Sequence, residues 1–377
     1  MPLSGRFVFA PRHSPAAALC FAVAFSLGLD VTGARATAPE PPVNARAVIA
    51  ADQALPPEGV DELKQVEIGG IKQWIHLRGA NRNNPILLFV HGGPGAPMMP
   101  ISWTYQRPWE DFFTVVQWDQ RGAGKTYASA NGKTGKTLGI DLMQADTEEL
   151  IDYLRKTYGK DKIFLMGHSW GSILGMKVAQ HRPDMLYAYI GVGQVINAQR
   201  NEVVGYAETL AKAEASGNKP AVAELKAIAP YPNTDGSITF AKISIERKWN
   251  AILGGIRYGR DKDDDIGVEM LSPDYSDADV TAYTNGERAS EMALVPAFLQ
   301  VDFDKLTTFK VPVFFFAGAE DRTTPSSIVA DYFQHVDAPQ KKFFLVEHAS
   351  HYVVDEAPGE MLVDLVQYVR PLAETSH

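Results

Sequence analysis

Short apolar runs of strand length alternate with longer, helix-patterned stretches along most of this chain. Val66 to Ile68 and Ile71 to Leu77, split by Gly69-Gly70, read as a β-hairpin. Ile86 to Val90 and Phe113 to Trp118 are continuous apolar runs, each ending in a polar, glycine-containing loop. Leu138 to Leu154 spaces its apolar residues as a helix does. Ile163 to Met166 is a short buried strand, Ile173 to Gln180 a helix, and Tyr187 to Val192 another strand. Strands that are apolar throughout, alternating with helices, predict a mostly parallel sheet covered by helices on both faces.

The alternation stops near residue 195. From Asn197 to about Ala297 the chain is rich in Ala and Glu and poor in β-branched runs. It resumes with Val311 to Ala317 and Lys342 to Glu347 as strands, and Ser326 to His335 and Gly359 to Val369 as helices. One α/β domain (61–196 and 298–377) split by a helical cap (197–297) explains this better than two tandem domains.

The amino-terminal 36 residues are of another kind. Arg6, Arg12 and His13 form a basic start, Ala16 to Leu29 is uncharged and apolar, and Ala34-Arg35-Ala36 offers small residues to a signal peptidase. This predicts a secretory signal, cleaved near Ala36, and a periplasmic or secreted protein. The rival, a retained anchor, is short: about 14 apolar residues against the roughly 20 a spanning helix needs. With the signal removed, no membrane association is expected. Residues 37–60, rich in Ala and Pro, read as a linker or arm. The single cysteine, Cys20, leaves with the signal, so no disulfide or thiol chemistry is expected.

Composition then narrows the classes. The 377 residues are 45% apolar and 21% charged, an ordinary globular balance. A net charge of −9 with no basic run argues against a nucleic-acid partner.

Gly167-His168-Ser169-Trp170-Gly171 is a G-x-S-x-G pentapeptide between a predicted strand and a predicted helix. A serine there sits on a tight turn that lifts its hydroxyl clear of the sheet, so Ser169 is the candidate nucleophile. In this architecture the acid and then the histidine follow in chain order. Asp321 comes after one late strand and His351 after the next, where an open α/β sheet builds its site. Glu320 competes with Asp321, and His348 with His351. An oxyanion hole needs two preorganised amides. The amide of Trp170 supplies one, and the glycine loop after Val90 the other, with Gly93 preferred and Gly92 the alternative.

Other patterns fail on inspection. Gly132 to Thr137 reads G-K-T-G-K-T but lacks the glycine a phosphate loop needs five positions earlier. Asp261 to Asp265 lacks the alternating ligands and closing Glu of a calcium loop. Asp119 and Arg121 read as a structural ion pair beneath the site. No metal or organic cofactor is implied.

Three motifs in order, His91-Gly92-Gly93-Pro94-Gly95, Asp119-Gln120-Arg121-Gly122-Ala123-Gly124 and Ser169-Trp170-Gly171-Ser172, resemble the prolyl aminopeptidase (proline iminopeptidase) branch of the α/β-hydrolase superfamily. The resemblance covers about residues 60 to 195 and 305 to 377. It implies an α/β-hydrolase fold with a helical cap, Ser169, Asp321 and His351 as the triad, and Gly93 and Trp170 at the oxyanion hole. Where the family usually has Gly and Arg-Ser, this chain has His168 and Lys125-Thr126. An aminopeptidase of this kind would hold the substrate's ammonium with cap carboxylates, and Glu246 is the candidate, against the plainer reading of a solvated helix glutamate. The expected activity is removal of N-terminal proline or another small residue from short peptides. Esterase, lactonase or amidase action on a small acyl substrate is the alternative, and a non-catalytic ligand-binding protein the rival from another class.

Overall fold

The computed structural model describes residues 44–260 and 266–374. The expected signal segment and the Asp261 to Asp265 cluster lie outside the described residues.

The glycine pair at 69–70 does what the pattern predicts. Both residues have positive φ (58° and 78°), the requirement of a two-residue hairpin turn, and they join β1 (Val60–Ile68) to β2 (Ile71–Gly79). Behind the hairpin come β3 (Ile86–Val90), β4 (Thr114–Asp119), β5 (Ile163–His168), β6 (Leu186–Val192), β7 (Val313–Gly318) and β8 (Lys341–Val346). The eight-stranded sheet has the order β1-β2-β4-β3-β5-β6-β7-β8. β1, β2 and β4 pair antiparallel; every pair from β4–β3 to β7–β8 is parallel.

Alternate strand residues feed two cores. Leu88, Leu165, Val313 and Phe315 enter the cluster under one face, with residues of α3 (Ile140–Tyr158), α4 (Trp170–His181) and α10 (Ser326–Gln334). Leu87, Phe89, Phe164, Met166, Phe314 and Phe316 enter the other, with α11 (Val353–Glu356) and α12 (Pro358–Asp364). Both faces being covered, the strands have no polar side to show, which is why they read as unbroken apolar runs.

Between β6 and β7 the chain forms α5 (Ala198–Ala215), α6 (Lys219–Ala227), α7 (Phe240–Ile252), α8 (Ile266–Glu269) and α9 (Asp277–Phe298). Two further helices are α2 (Gly124–Ser129) and α1 (Ala45–Asp52). α1 lies inside the stretch expected to be a linker. Its Ala-rich sequence favours helix, and the Asn44 side chain caps it by accepting from the Ala47 amide. None of its residues is buried, and Arg46 ties it to the Met270 carbonyl and to Asp277. Among the described residues no helix is long and apolar enough to cross a membrane.

Candidate active site

β5 ends at His168 and α4 starts at Trp170, leaving Ser169 alone at the bend with φ 51° and ψ −118°. A positive φ costs a non-glycine residue energy, and the bend holds because its surroundings leave no alternative. The Ser169 amide donates to the Val192 carbonyl at 3.0 Å. A Cβ on Gly167 would press on the backbone of Gly171, and one on Gly171 would strike the Val90 carbonyl. Those contacts explain the two flanking glycines and aim the hydroxyl at the carboxyl end of the sheet.

β7 and β8 end beside this bend and carry the next two residues. His351 Nδ1 lies 2.9 Å from Asp321 Oδ2. A carboxylate only accepts, so Nδ1 carries the proton and Nε2 keeps its lone pair. Asp321 is fixed in turn by the amides of Thr323 and Thr324, at 2.8 and 2.9 Å, and by the Thr324 hydroxyl at 2.7 Å. Burial by itself would raise the Asp321 carboxyl, but the His351 ring and the Thr324 hydrogen bonds hold it below the ordinary carboxylate range. The competitors lie elsewhere. Glu320 is partly exposed beside Arg322, and His348 is exposed with its Nδ1 3.1 Å from the Tyr258 hydroxyl.

Ser169, His351 and Gly93 line one cavity of about 250 Å³. Gly93 has φ 106°, and a Cβ there would collide with the amides of Gly95 and Ala96, so only glycine lets this loop curl beside the serine. Trp170 is the first residue of α4, where an amide has no acceptor within its own helix. Its side chain packs in the core and takes no part in the cavity lining.

The roof of the cavity comes from α5, α7 and α9, which bring Glu202, Arg247, Glu287 and Glu291. Glu246 is not among the lining residues. It is fully buried, paired with Arg247 and accepting from Thr209 at 3.2 Å, and burial raises its carboxyl despite the Arg247 charge. Neither the candidate's role nor its plainer alternative, a solvated glutamate, describes that environment. Arg247 itself is shared between Glu246 and Glu202, and Glu202 also accepts from the Tyr231 hydroxyl at 2.5 Å. Glu291 is half-buried, and burial raises its carboxyl against the pull of Arg247.

Sequence reading missed Glu202, Glu287 and Glu291. A signal for the last two exists: Gly286-Glu287 and Ser290-Glu291 repeat a small-acidic pair four residues apart, one turn of α9. The small members let the helix approach the loops below. Ser290 Oγ donates to the Gly122 carbonyl at 3.0 Å, and Gly95 packs on Ser290 and Glu287.

Asp119 and Arg121 do not pair with one another. Arg121 makes a buried two-pronged contact with Asp146, at 2.7 and 3.0 Å, that braces the hairpin turn on α3. Asp119 accepts from the Tyr275 hydroxyl and from the Lys125 amide, and burial pushes its carboxyl up to about 7. The turn after β4 separates the two, so the acid meets Tyr275 from the roof and the base meets Asp146 on α3. His168 donates from Nε2 to the His351 carbonyl at 2.9 Å, and burial followed by the nearby His351 depresses it to about 3, so it stays neutral. Among the described residues no group of three or more His, Cys, Asp or Glu could hold a metal ion.

Comparison with known proteins agrees with this geometry. Residues 85–358 match the profile of the α/β hydrolase fold. The chain is 32% identical over 312 residues to a Bacillus subtilis protein named Probable aminopeptidase YbaC, covering 82% of this chain and 96% of that one. It is also 32% identical over 121 residues to a Proline iminopeptidase of Neisseria gonorrhoeae, covering 32% of this chain and 36% of the relative. A crystal structure of a proline iminopeptidase from Mycobacterium smegmatis superposes with a TM-score of 0.59 at 16% identity, covering 84% of this chain and 100% of the other. At that identity the likeness speaks for the fold.

Proposed function

The chain belongs to the α/β-hydrolase family, and from that premise we propose that it is a serine aminopeptidase removing N-terminal proline or another small residue from short peptides. In this reading His351 takes the Ser169 proton at Nε2, the nitrogen left free by Asp321, and Ser169 attacks the scissile carbonyl. The amides of Gly93 and Trp170 receive the oxyanion. His351 then protonates the departing amine, and water, activated by the same base, clears the acyl-enzyme.

The observation that carries the peptidase reading is the charge of the roof. Glu291, half-buried, faces the same cavity as Ser169 and His351, together with Glu202 and Glu287. Arg247 offsets part of this charge and leaves the cavity acidic, a setting suited to a free ammonium and hostile to a carboxylate. The names of the Bacillus and Neisseria relatives support the same class.

The test is a comparison of initial rates on prolyl, alanyl and N-blocked prolyl arylamides against a short-chain acyl ester. Fast cleavage of the free prolyl substrate, lost when its amine is blocked, is the expected result. Ester turnover with inert arylamides would keep a serine hydrolase and discard the peptidase. Export to the periplasm or medium is part of the proposal, supported by the basic start, the apolar run and Ala34-Arg35-Ala36. N-terminal sequencing of the exported protein is expected to begin at Thr37.

A further inference from the structure

α7, which sends Ile243 and Arg247 into the cavity, continues into a six-residue segment, Leu253 to Tyr258. That segment is bonded to both loops beneath it. On the Asp321 side, the Leu253 carbonyl accepts from Arg322 Nη2 at 2.6 Å, and the Gly255 carbonyl accepts from the Arg322 amide at 3.2 Å. On the His351 side, the Gly254 carbonyl accepts from Ser350 Oγ at 2.6 Å, and the Ile256 carbonyl accepts from the His351 amide at 3.0 Å. Four successive carbonyls therefore serve the two loops in alternation.

The segment ends in charge. Arg257 is 2% exposed, pairs with Asp355, and lies 3.9 Å above the Tyr352 ring. Tyr352 in turn packs on His168 and stands edge-on to His351. The next residue, Tyr258, donates its amide to Glu356, whose other carboxylate oxygen accepts from the Ser350 amide at 2.9 Å.

We propose that Leu253 to Tyr258 is a strap that positions the acid–base pair, with Arg257 its principal positioning residue. The proposal rests on the reading of Asp321 and His351 as acid and base. Burying an arginine and an aspartate is costly even when they pair, and in some proteins such a pair serves to fix one arrangement over others. Here the arrangement fixed is that of the His351 loop against the Asp321 loop, both referred to the helix that lines the substrate's end of the cavity. Strap and pair also set the charge around the base. Asp321 from the loop after β7, His168 from the serine bend and Tyr352 from its own loop touch His351. Behind Tyr352 stand Arg257 from the strap and Asp355 from α11, with Glu356 on the Ser350 amide, and across the cavity stand Glu202, Arg247, Glu287 and Glu291 from the roof. His348 stands further out, exposed.

The measurement is the second-order rate of Ser169 labelling by a fluorophosphonate, followed against pH, which reports on the base without assuming a substrate. Arg257→Met is expected to slow labelling about tenfold or more, because small misplacements of a base are costly. It also removes a cation near His351, so the acidic limb moves to higher pH. Asp355→Asn removes an anion, and the limb moves to lower pH. Arg257→Lys keeps the charge and is expected to lower the plateau with the limb in place; it carries the test if Arg257→Met does not fold. Thermal unfolding of each variant corrects for the folded fraction. A purely structural pair would cost stability without moving the limb in opposite directions. Wild-type plateau and limb in these variants, with His351→Ala silent, overturn the strap alone. Wild-type labelling in His351→Ala overturns the base assignment beneath it.

Discussion

The sheet and the helical roof bury their residues in different ways. Every residue of β3, β5 and β7 is buried, and nearly all are apolar: Ile-Leu-Leu-Phe-Val, Ile-Phe-Leu-Met-Gly-His and Val-Phe-Phe-Phe-Ala-Gly. In the roof the buried face of α5 is Ala198, Asn201, Glu202, Gly205, Thr209 and Ala213, and that of α7 is Glu246, Trp249 and Asn250. The apolar cluster the roof keeps for itself is small: Ala213, Ala221, Leu225, Ile228, Tyr231 and Trp249. A strand with helices on both sides has only packing to satisfy. A roof helix faces a cavity as well as a core: Glu202 lines the cavity, while Glu246, Thr209 and Asn250 satisfy one another and the loops below. The difference teaches that a blurred hydrophobic pattern inside an otherwise clear α/β chain can itself mark the side that closes over a cavity.

The sharpest separation of the two regions comes from the serine at the sheet's edge. Ser169→Ala is expected to reduce turnover by roughly 10⁵–10⁶ and to abolish fluorophosphonate labelling, with unfolding unchanged. Adding His351→Ala should cost little more, since the residues act as one unit. Next in size are packing deletions. Leu88→Ala, in the main core, is expected to cost about 2–5 kcal/mol in chemical denaturation. Leu225→Ala in the roof cluster should fall at the low end of that range, because a small cluster closes over the gap more easily. Equal losses would break the contrast drawn above.

The joint between the regions is expected to respond to pH. His76 on β2 lies 2.8 Å from Asp61 and 3.3 Å from Asp274, which leads into α9. Burial opposes its charge, but the two carboxylates overcome that and raise it to about 9. A histidine raised on folding stabilises fully below its unfolded value, about 6.5, and loses that contribution as pH rises through about 9. His76→Gln should therefore lower stability at pH 6, by at most about 3 kcal/mol. By pH 10 the deficit should have closed, as unfolding curves at the two pH values would show.

The smallest effect belongs to the roof alone. Glu291→Gln is expected to raise KM for a free-amine prolyl arylamide about 10- to 100-fold, the worth of a hydrogen bond to a charged group, with kcat nearly unchanged. Burial raises the Glu291 carboxyl, so wild-type KM should climb as pH falls through a value above the ordinary glutamate range. That limb should vanish in the variant. An unchanged KM would remove the roof carboxylate from the binding of the amine.

Much of the frame was legible before the structure. The hairpin at Gly69-Gly70, β3 and the helix–strand order around them follow from periods of two and 3.6 and from turn chemistry, which act over a few residues. So does the bend at Ser169, where steric crowding demands small neighbours. Asp321 and His351 could be picked because strand ends predict where loops meet. Glu246 illustrates the limit. As a charged residue on a roof helix it looked available, and only the fold turned Arg247 and Thr209 toward it.

By itself, then, the sequence determined the elements, the split α/β plan and the residue types that converge at the sheet's carboxyl end. The tertiary structure alone decided which charges meet. Arg121 reaches Asp146, Arg247 reaches Glu202, Arg257 reaches Asp355, and Glu291 is left facing the cavity. The physical reason is range. Backbone sterics and hydrophobic period are set by neighbours along the chain, whereas an ion pair depends on a few ångströms of separation between residues tens of positions apart, and no local pattern records that distance.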